Sequence, residues 1–397
     1  MGRARACPAC GAAAAEPVHR VRLRTPDRHP LEGGYEVVSC LECGAGYADA
    51  AVAQAAYDSY YAQRAKYAAD LPTVAGTTEE PAWVRARFDE AASRIARLVP
   101  PGARVLDIGC STGSLLGALR RTGFRDVRGI DPSPASASVA ERLHGVRVDV
   151  GTLHRLPERT GTFDCVCLTG VLEHVWDVDG AMAAVTSLLR PGGAVYVEVP
   201  DASRYLDPFI APFEDFHTEH VNHFSGATLA ALGRRFGLGT AWCGPADNDI
   251  VPGATAAVVA LCWRAGAEHE GTGGRDDALV RSLHAFTARS AEAWGRLGHR
   301  LWQDLGTSPT FVLWGMGELS MKLLATTVLA ERSPAALVDG NPARHGLRFG
   351  GVPVRPPDSL RGGEGPIVVG SLLRGASIGR AIAARGLPNP VVELSAA

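Results

Sequence analysis

One stretch, ARVLDIGCSTGSLLGALRRTG at residues 103–123, constrains the fold more than any other. It reads as an apolar strand, a turn built on Gly109 and Gly113, and a helix. RDVRGIDPS follows as a second strand ending on Asp131, then HGVRVDVGTLHRLP, TFDCVCLTGVLEHV and LLRPGGAVYVEVP as three more, with helical stretches between them. Strands alternating with helices imply a parallel, doubly wound α/β sheet of the Rossmann-like kind. The apolar strands fit burial on both faces.

The rest of the chain sorts around that core. Its 397 residues suggest two to three domains at about 150 residues each. Hydrophobic residues are 46% and charged residues 21%, a globular composition. We divide it into a cysteine module at 1–50, a helical linker and lid at 51–100, the core at 101–265, a helical connector at 266–308 and a second, smaller α/β domain at 309–397. The net charge of −2 argues against a polyanion-binding role for the whole chain. No apolar run reaches the roughly 18 residues of a membrane span, and MGRARACPAC lacks the apolar segment of a signal peptide. With nine cysteines, two tight CxxC pairs among them, the expected setting is the reducing cytoplasm.

Cys7 and Cys10 form one CxxC and Cys40 and Cys43 the other. Two such knuckles supply four thiolates, the closed tetrahedral set of structural zinc. Surface cysteines without metal are the bland alternative; a catalytic metal would need an open position. Six arginines in residues 1–50 face six acids (Glu16, Asp27, Glu32, Glu36, Glu42 and Asp49), so this ribbon is a poor phosphate clamp and nucleic acid is not the expected partner. In the helix over 52–70, Tyr57, Tyr60, Tyr61 and Arg64 share one face. That face packs on the next domain or forms an aromatic wall for substrate, with Tyr60, Tyr61 and Arg64 as contacts.

The chemistry concentrates in two places. At the first, Asp107-Ile108-Gly109-Cys110-Ser111-Thr112-Gly113 lets backbone approach a ligand at a helix N-terminus, and Asp131 stands where an acid can accept ribose hydroxyls. A dinucleotide fingerprint wants a third glycine that is absent here. Asp107 would repel a pyrophosphate but welcome an ammonium group, which favours S-adenosylmethionine (SAM). The second place is Phe213–Ser225, with His217, Glu219, His220 and His223 just past the fifth strand. Histidine titrates near neutral pH, so acid–base work by His220 with Glu219 is the leading reading. A metal held by His217, Glu219 and His220, or plain packing, remains open.

VLDIGCSTG, GIDPS, FDCVCLTGVLEHV and LLRPGGAVYVEVP, in that order, resemble the motifs of class I SAM-dependent methyltransferases over about residues 83–265. The resemblance implies a cofactor site of Asp107, Gly109, Cys110, Ser111, Gly113, Asp131, Pro132, Thr152, Leu153, Thr169 and Leu172. Thr152 stands where many relatives carry an adenine-binding Asp. The order of four-cysteine module, methyltransferase core and extra α/β domain, together with His217-Thr218-Glu219-His220 before His223-Phe224-Ser225, is similar to the sugar C-methyltransferases of nucleotide-deoxysugar pathways. Those enzymes have tyrosine at the position of His217 and histidine at that of Thr218. That family implies removal of an α-proton by a base, here His220 oriented by Glu219, with His217 polarising the oxyanion, and a keto-sugar nucleotide or related natural-product intermediate as substrate. The acidic stretch 201–225 would need arginines from elsewhere, such as Arg64, Arg234 or Arg235, to face a diphosphate. O- or N-methylation, an RNA methyltransferase and a non-catalytic SAM-fold protein are the alternatives. Gly315-Met316-Gly317 with Asp339 mimics a second nucleotide turn but falls short of a full fingerprint, so we expect a structural or substrate-covering domain there. The sequence carries no signal for oligomeric state.

Overall fold

The computed structural model describes residues 4–64, 80–158, 160–207, 209–251, 254–267 and 274–394, without the side chains at 61–64, 250, 251 and 254. The chain forms two compact units, each discontinuous in sequence. The first takes Met1–Pro17, Val38–Pro208 and Glu219–Leu283; the second takes Val18–Val37, Phe209–Thr218 and His284–Ala397.

The chain begins with β1 (Ala15–Val21), β2 (Tyr35–Cys40) and β3 (Gly46–Asp49), followed by helices α1 (Gln54–Arg64) and α2 (Ala82–Ala96). The core then alternates: β4 (Arg104–Ile108), α3 (Ser114–Arg121), β5 (Asp126–Asp131), α4 (Pro134–His144), β6 (Val148–Val150), β7 (Phe163–Thr169), a single turn at Leu172–His174, α5 (Val178–Ser187) and β8 (Leu189–Pro200). After it come β9 (Asn222–His223), α6 (Gly226–Arg235), β10 (Leu238–Pro245), the hairpin β11 (Asn248–Val251) and β12 (Ala254–Ala256), and β13 (Val258–Ala265). Strands β1-β2-β3-β9 make a four-stranded sheet.

The central sheet has the order β10-β13-β8-β7-β4-β5-β6. Strands β4 to β8 pair in parallel, and β13 runs antiparallel to both β8 and β10. Both faces are covered, because Leu106, Val166 and Val197 enter one apolar cluster and Val105, Cys165 and Tyr196 another. Period-two alternation in buried strands produces that division. The strand order reverses between β4 and β7. Open α/β sheets bind ligands at such a switch point, beyond the carboxyl ends of the strands.

The second unit carries its own parallel sheet. Its strands β14 (Thr310–Trp314), β15 (Ser333–Val338), β16 (Arg348–Phe349), β17 (Val352–Arg355), β18 (Ile367–Val369) and β19 (Val391–Glu393) take the order β16-β17-β15-β14-β18-β19. Only the β16–β17 pair is antiparallel. Helix α7 (Asp277–Leu305) leads into this unit, and α8 (Glu318–Thr326) and α9 (Gly375–Ala383) belong to it. No helix among the described residues is long and apolar enough to cross a membrane.

Candidate active site and metal centre

The turn after β4 cannot be built without its glycines. Gly109 has φ of 74°, and a Cβ there would meet Val171 Cγ2 at 2.7 Å. Gly113, at φ of 79°, caps α3, and its Cβ would meet Ala140 at 2.9 Å. Ser111 between them also lies in the left-handed region, at φ of 47°, which costs an L-residue about 1–2 kcal/mol. Its amide donates to Asp131 Oδ2 at 2.8 Å, and the Ser133 amide donates to Oδ1 at 2.9 Å. The acid at the end of β5 thus fixes the turn while each oxygen keeps acceptor capacity for a hydroxyl. Gly151 donates to the Asp131 carbonyl at 3.1 Å and ties the third-strand loop to the same corner.

Asp107 is buried, and among the described residues it makes no ion pair. Burial raises its carboxyl well above the usual range, and Asp131 and Glu198 raise it further. A buried, uncompensated carboxyl beside the turn suits an ammonium group. Of the other positions read as cofactor contacts, the Thr152 hydroxyl accepts from the amides of His154 and Arg155 at 3.2 and 3.0 Å. Leu153 and Leu172 are core residues. Cys110 turns its thiol into a cluster with Leu116, Ala140 and Val146. Pro132 is half-buried, and Thr169 ends β7 with a buried hydroxyl that has no partner among the described residues.

Beside the crevice, the turn after β7 carries Glu173 and His174. With His220 they bring two imidazoles and a carboxylate together, their ligand atoms within 4.8 Å of one another. The two rings meet edge to face at 5.0 Å between centroids. His174 Nδ1 donates to the Glu219 carbonyl at 3.0 Å. That bond fixes the tautomer, so Nε2 carries the lone pair, 3.8 Å from Glu173 Oε1. Burial pushes the Glu173 carboxyl up to about 8, against the pull of Arg87. Backbone stitching holds the group: Val221 donates to the Glu173 carbonyl at 2.8 Å, and Asn222 Nδ2 donates to the carbonyls of Leu172 and Val175, each at 2.7 Å.

Sequence reasoning quoted LEHV within a motif and gave Glu173 and His174 no role. An acid–histidine pair one turn beyond an apolar strand, at the carboxyl edge, was the available signal. The sequence points to the Glu219 carboxylate as the group that orients His220; the structure adds that the Glu219 backbone carbonyl accepts from His174. Next to Glu173, Glu198 is also buried, facing the Tyr196 hydroxyl and Arg94 and Arg87 at 3.6 and 3.8 Å.

His217 lies in the second unit, where its carbonyl accepts from the Tyr35 hydroxyl at 2.7 Å. His223 is fully buried on β9, paired with Gly46, and its Nδ1 shares a hydrogen bond of 2.9 Å with Tyr205. Burial, helped by Arg5, lowers that imidazole to about 3. Tyr60 is half-buried on α1, edge-on to Tyr57. The side chains of Tyr61 and Arg64 lie outside the described residues. Arg235 is committed to Asp179 at 2.8 Å and to the Pro8 carbonyl. In the second unit, the Asp339 carboxylate repeats the pattern of Asp131: the amides of Met316 and Asn341 donate to it at 2.7 and 2.8 Å. Here, however, Arg344 also donates to it at 2.8 Å.

The four cysteines of the ribbon close on one point. Cys7 and Cys43 sulfurs are 3.6 Å apart, Cys10 and Cys40 sulfurs 3.5 Å, and all four lie within 4.8 Å of one another. Tetrahedral zinc with bonds of about 2.3 Å would set sulfurs roughly 3.8 Å apart, whereas a disulfide needs about 2.05 Å. The two knuckles are built alike. Cys7 and Cys40 donate to the carbonyls of Ala12 and Ala45, and Gly11 and Gly44 donate back to Cys7 and Cys40. Both glycines have positive φ, 79° and 84°, as the turn demands. The set fits a closed structural metal site.

Strand order, switch point, glycine turn and second-strand acid together define a Rossmann-like α/β domain with its ligand corner at Gly109–Asp131. Accordingly, residues 83–240 match the family model of a methyltransferase domain. One curated relative, the ubiquinone biosynthesis O-methyltransferase of Xanthomonas axonopodis pv. citri, is 44% identical over 109 residues, which is 26% of this chain and 45% of that protein. The chain therefore spans about half the length of the curated relatives it matches. Among solved structures, it is similar to the Burkholderia thailandensis 1,6-didemethyltoxoflavin-N1-methyltransferase, with a TM-score of 0.41, 20% identity, and coverage of 57% of this chain and 98% of that one. It is also similar to the Synechocystis magnesium protoporphyrin IX methyltransferase, with a TM-score of 0.41, 17% identity, and coverage of 54% and 100%.

Proposed function

We propose that this chain methylates a small molecule with SAM, using the His174–His220 pair to remove a proton from the acceptor. The observation that carries the reading is the placement of that pair. His174 follows β7 directly, and β7 is the sheet neighbour of β4, whose glycine turn touches Val171 three residues before His174. Bound SAM supplies an electrophilic methyl group. Asp107 answers its ammonium group, and Asp131 accepts from its ribose hydroxyls. The Gly109–Gly113 backbone leaves room for close approach.

His174 presents Nε2 as a proton acceptor because Nδ1–H is engaged by the Glu219 carbonyl. Glu173, largely neutral at pH 7, holds no charge that would compete for a cationic co-substrate. His220 faces the same space and can receive or pass on the proton. The acceptor we favour is a nucleotide-linked keto-sugar or related natural-product intermediate, methylated at the carbon beside the carbonyl. Its support is the four-part order of the sequence and the Glu219-His220 stretch. O-methylation is the second reading, favoured by the 44% identity to an O-methyltransferase; the same imidazoles would deprotonate a hydroxyl. We also propose structural zinc at Cys7, Cys10, Cys40 and Cys43.

The test is turnover of a keto-sugar nucleotide panel with SAM in deuterated water. Wild-type chain should methylate carbon and exchange the α-proton, and His220→Gln should do neither while still binding S-adenosylhomocysteine (SAH). Methyl transfer to oxygen alone would replace the carbon reading with the second. Full activity of His220→Gln would remove the base.

A further inference from the structure

The second unit puts the place where a doubly wound fold receives its ligands to unusual use. Its first glycine turn is followed by α8, and a nucleotide phosphate would seek that helix N-terminus. Glu318 occupies it, and Arg344 already covers the acid at the end of β15. What Glu318 holds instead is this chain's own segment. Its Oε1 accepts from the Thr218 hydroxyl at 2.5 Å, and its Oε2 from the Thr218 amide at 3.2 Å.

The hold continues one turn along α8. Only two residues of the chain are lysine, Lys66 and Lys322, against an abundance of arginine. Lys322 is buried and donates to the Phe213 carbonyl at 2.5 Å, and Ser290 Oγ accepts from the Phe213 amide at 3.0 Å. Phe213 has φ of 55°, a left-handed conformation that a bulky residue rarely keeps. Both of its backbone groups are thus held by buried side chains. Its ring stacks on His19 at 4.3 Å. Residues 213–218 are pinned at both ends within this unit. Thr218 is joined by a peptide bond to Glu219, where the chain enters the first unit. There the Glu219 carbonyl receives His174, and the Val221 amide reaches Glu173.

We infer that Glu318 and Lys322 are positioning residues: by clamping Thr218 and Phe213 they help to set, through the peptide chain, where the His220 imidazole stands. The inference rests on His220 belonging to the reactive group proposed above. It gives the second α/β unit a role in the chemistry without a ligand of its own.

The test reads His220 directly. In full-length chain carrying 13C-labelled histidine and saturated with SAH, the imidazole signals of His220, His174 and, as a reference, His154 are followed against pH. Thr218→Val, which keeps shape but loses the hydroxyl, and Glu318→Ala should each move the His220 titration midpoint by about 0.5 pH unit or more, threefold in proton affinity. His154 should stay in place, and SAH affinity should change less than twofold. Thr218→Ser, with its hydroxyl restored, should return the His220 signal to its wild-type position. Unchanged His220 signals in Thr218→Val, or a Thr218→Ser variant as displaced as Thr218→Val, overturns the clamp. If Glu318→Ala does not fold, the two Thr218 variants decide. Because the readout is the placement of His220, a failed clamp is distinct from a failed base, which His220→Gln turnover tests separately.

Discussion

Replacing Glu173 by glutamine tests the electrostatics of the reactive group most sharply. The carboxyl is buried, 3% exposed, and its proton affinity is raised from the ordinary 4.5 to about 8, chiefly by loss of water. A raised folded-state value means that the fold favours the neutral acid. The stabilisation is complete below pH 4.5 and is lost as the pH rises toward 8. Each pH unit of that interval costs about 1.4 kcal/mol, so the wild type gives up about 3 kcal/mol by pH 7 and about 5 kcal/mol above pH 8. Glutamine has nearly the same shape and no charge to lose. Glu173→Gln should therefore match the wild type in urea unfolding near pH 5 and exceed it by several kcal/mol at pH 8. Its turnover near neutral pH should persist, since glutamine, like the neutral acid, places no charge beside His174. A gap between the two urea curves that stays constant from pH 5 to 8 would show that Glu173 keeps an ordinary acidity, and the reading of a neutral acid beside the imidazoles would fall.

Cys7→Ser with Cys40→Ser should bring bound zinc, measured by plasma mass spectrometry, from one per chain to near zero, and should lower the thermal midpoint; undiminished zinc refutes the site. Asp131→Ala removes the acceptor of the Ser111 amide as well as that of the ribose, and should weaken SAH binding by about 1–3 kcal/mol in calorimetry; unchanged affinity overturns the ribose assignment. His174→Gln should abolish methyl transfer with SAH affinity preserved, whereas activity within twofold of wild type would leave His220 to act alone.

The sequence made the parts that local rules govern legible. The glycine turn, the acid about 20 residues on and the paired knuckles follow from backbone sterics and short-range spacing. The Glu173–His174–His220 group was only half legible, because its geometry depends on pairings that spacing does not encode. His217, His220 and His223 look like one cluster in a row. In the structure β9 pairing takes His223 to Gly46 and Tyr205, and the backbone carbonyl of His217 accepts from Tyr35. His220 instead meets His174, 46 positions earlier, because Asn222 straps its own segment onto the turn 172–175. Nothing in the text of the sequence announces that strap. Likewise, the sequence marks the Gly315 turn and Asp339 as an incomplete nucleotide turn, but not that Arg344 donates to Asp339 or that Glu318 begins the helix there.

The cysteine ribbon and the reactive group belong to one mechanical chain. Arg5, two residues before the first knuckle, donates to Asn222 Oδ1 at 2.8 Å, and the amide of the same Asn222 holds the carbonyls of Leu172 and Val175. The Arg5 guanidinium also lies over Trp176, 4.6 Å from its centroid, and Trp176 stacks on Tyr57 of α1 at 5.3 Å. From the other side, Gln54 of α1 accepts from the amides of Trp176 and Asp177 at 2.9 and 2.8 Å. The turn that carries His174 is therefore clamped between the ribbon and α1, whereas the Gly109–Asp131 corner is fixed by its own backbone bonds. A ribbon built for structure alone would end at its knuckles. This one extends through Arg5 to the backbone of the reactive turn, so loss of the metal should disturb the placement of His174 before it disturbs the hold on SAM.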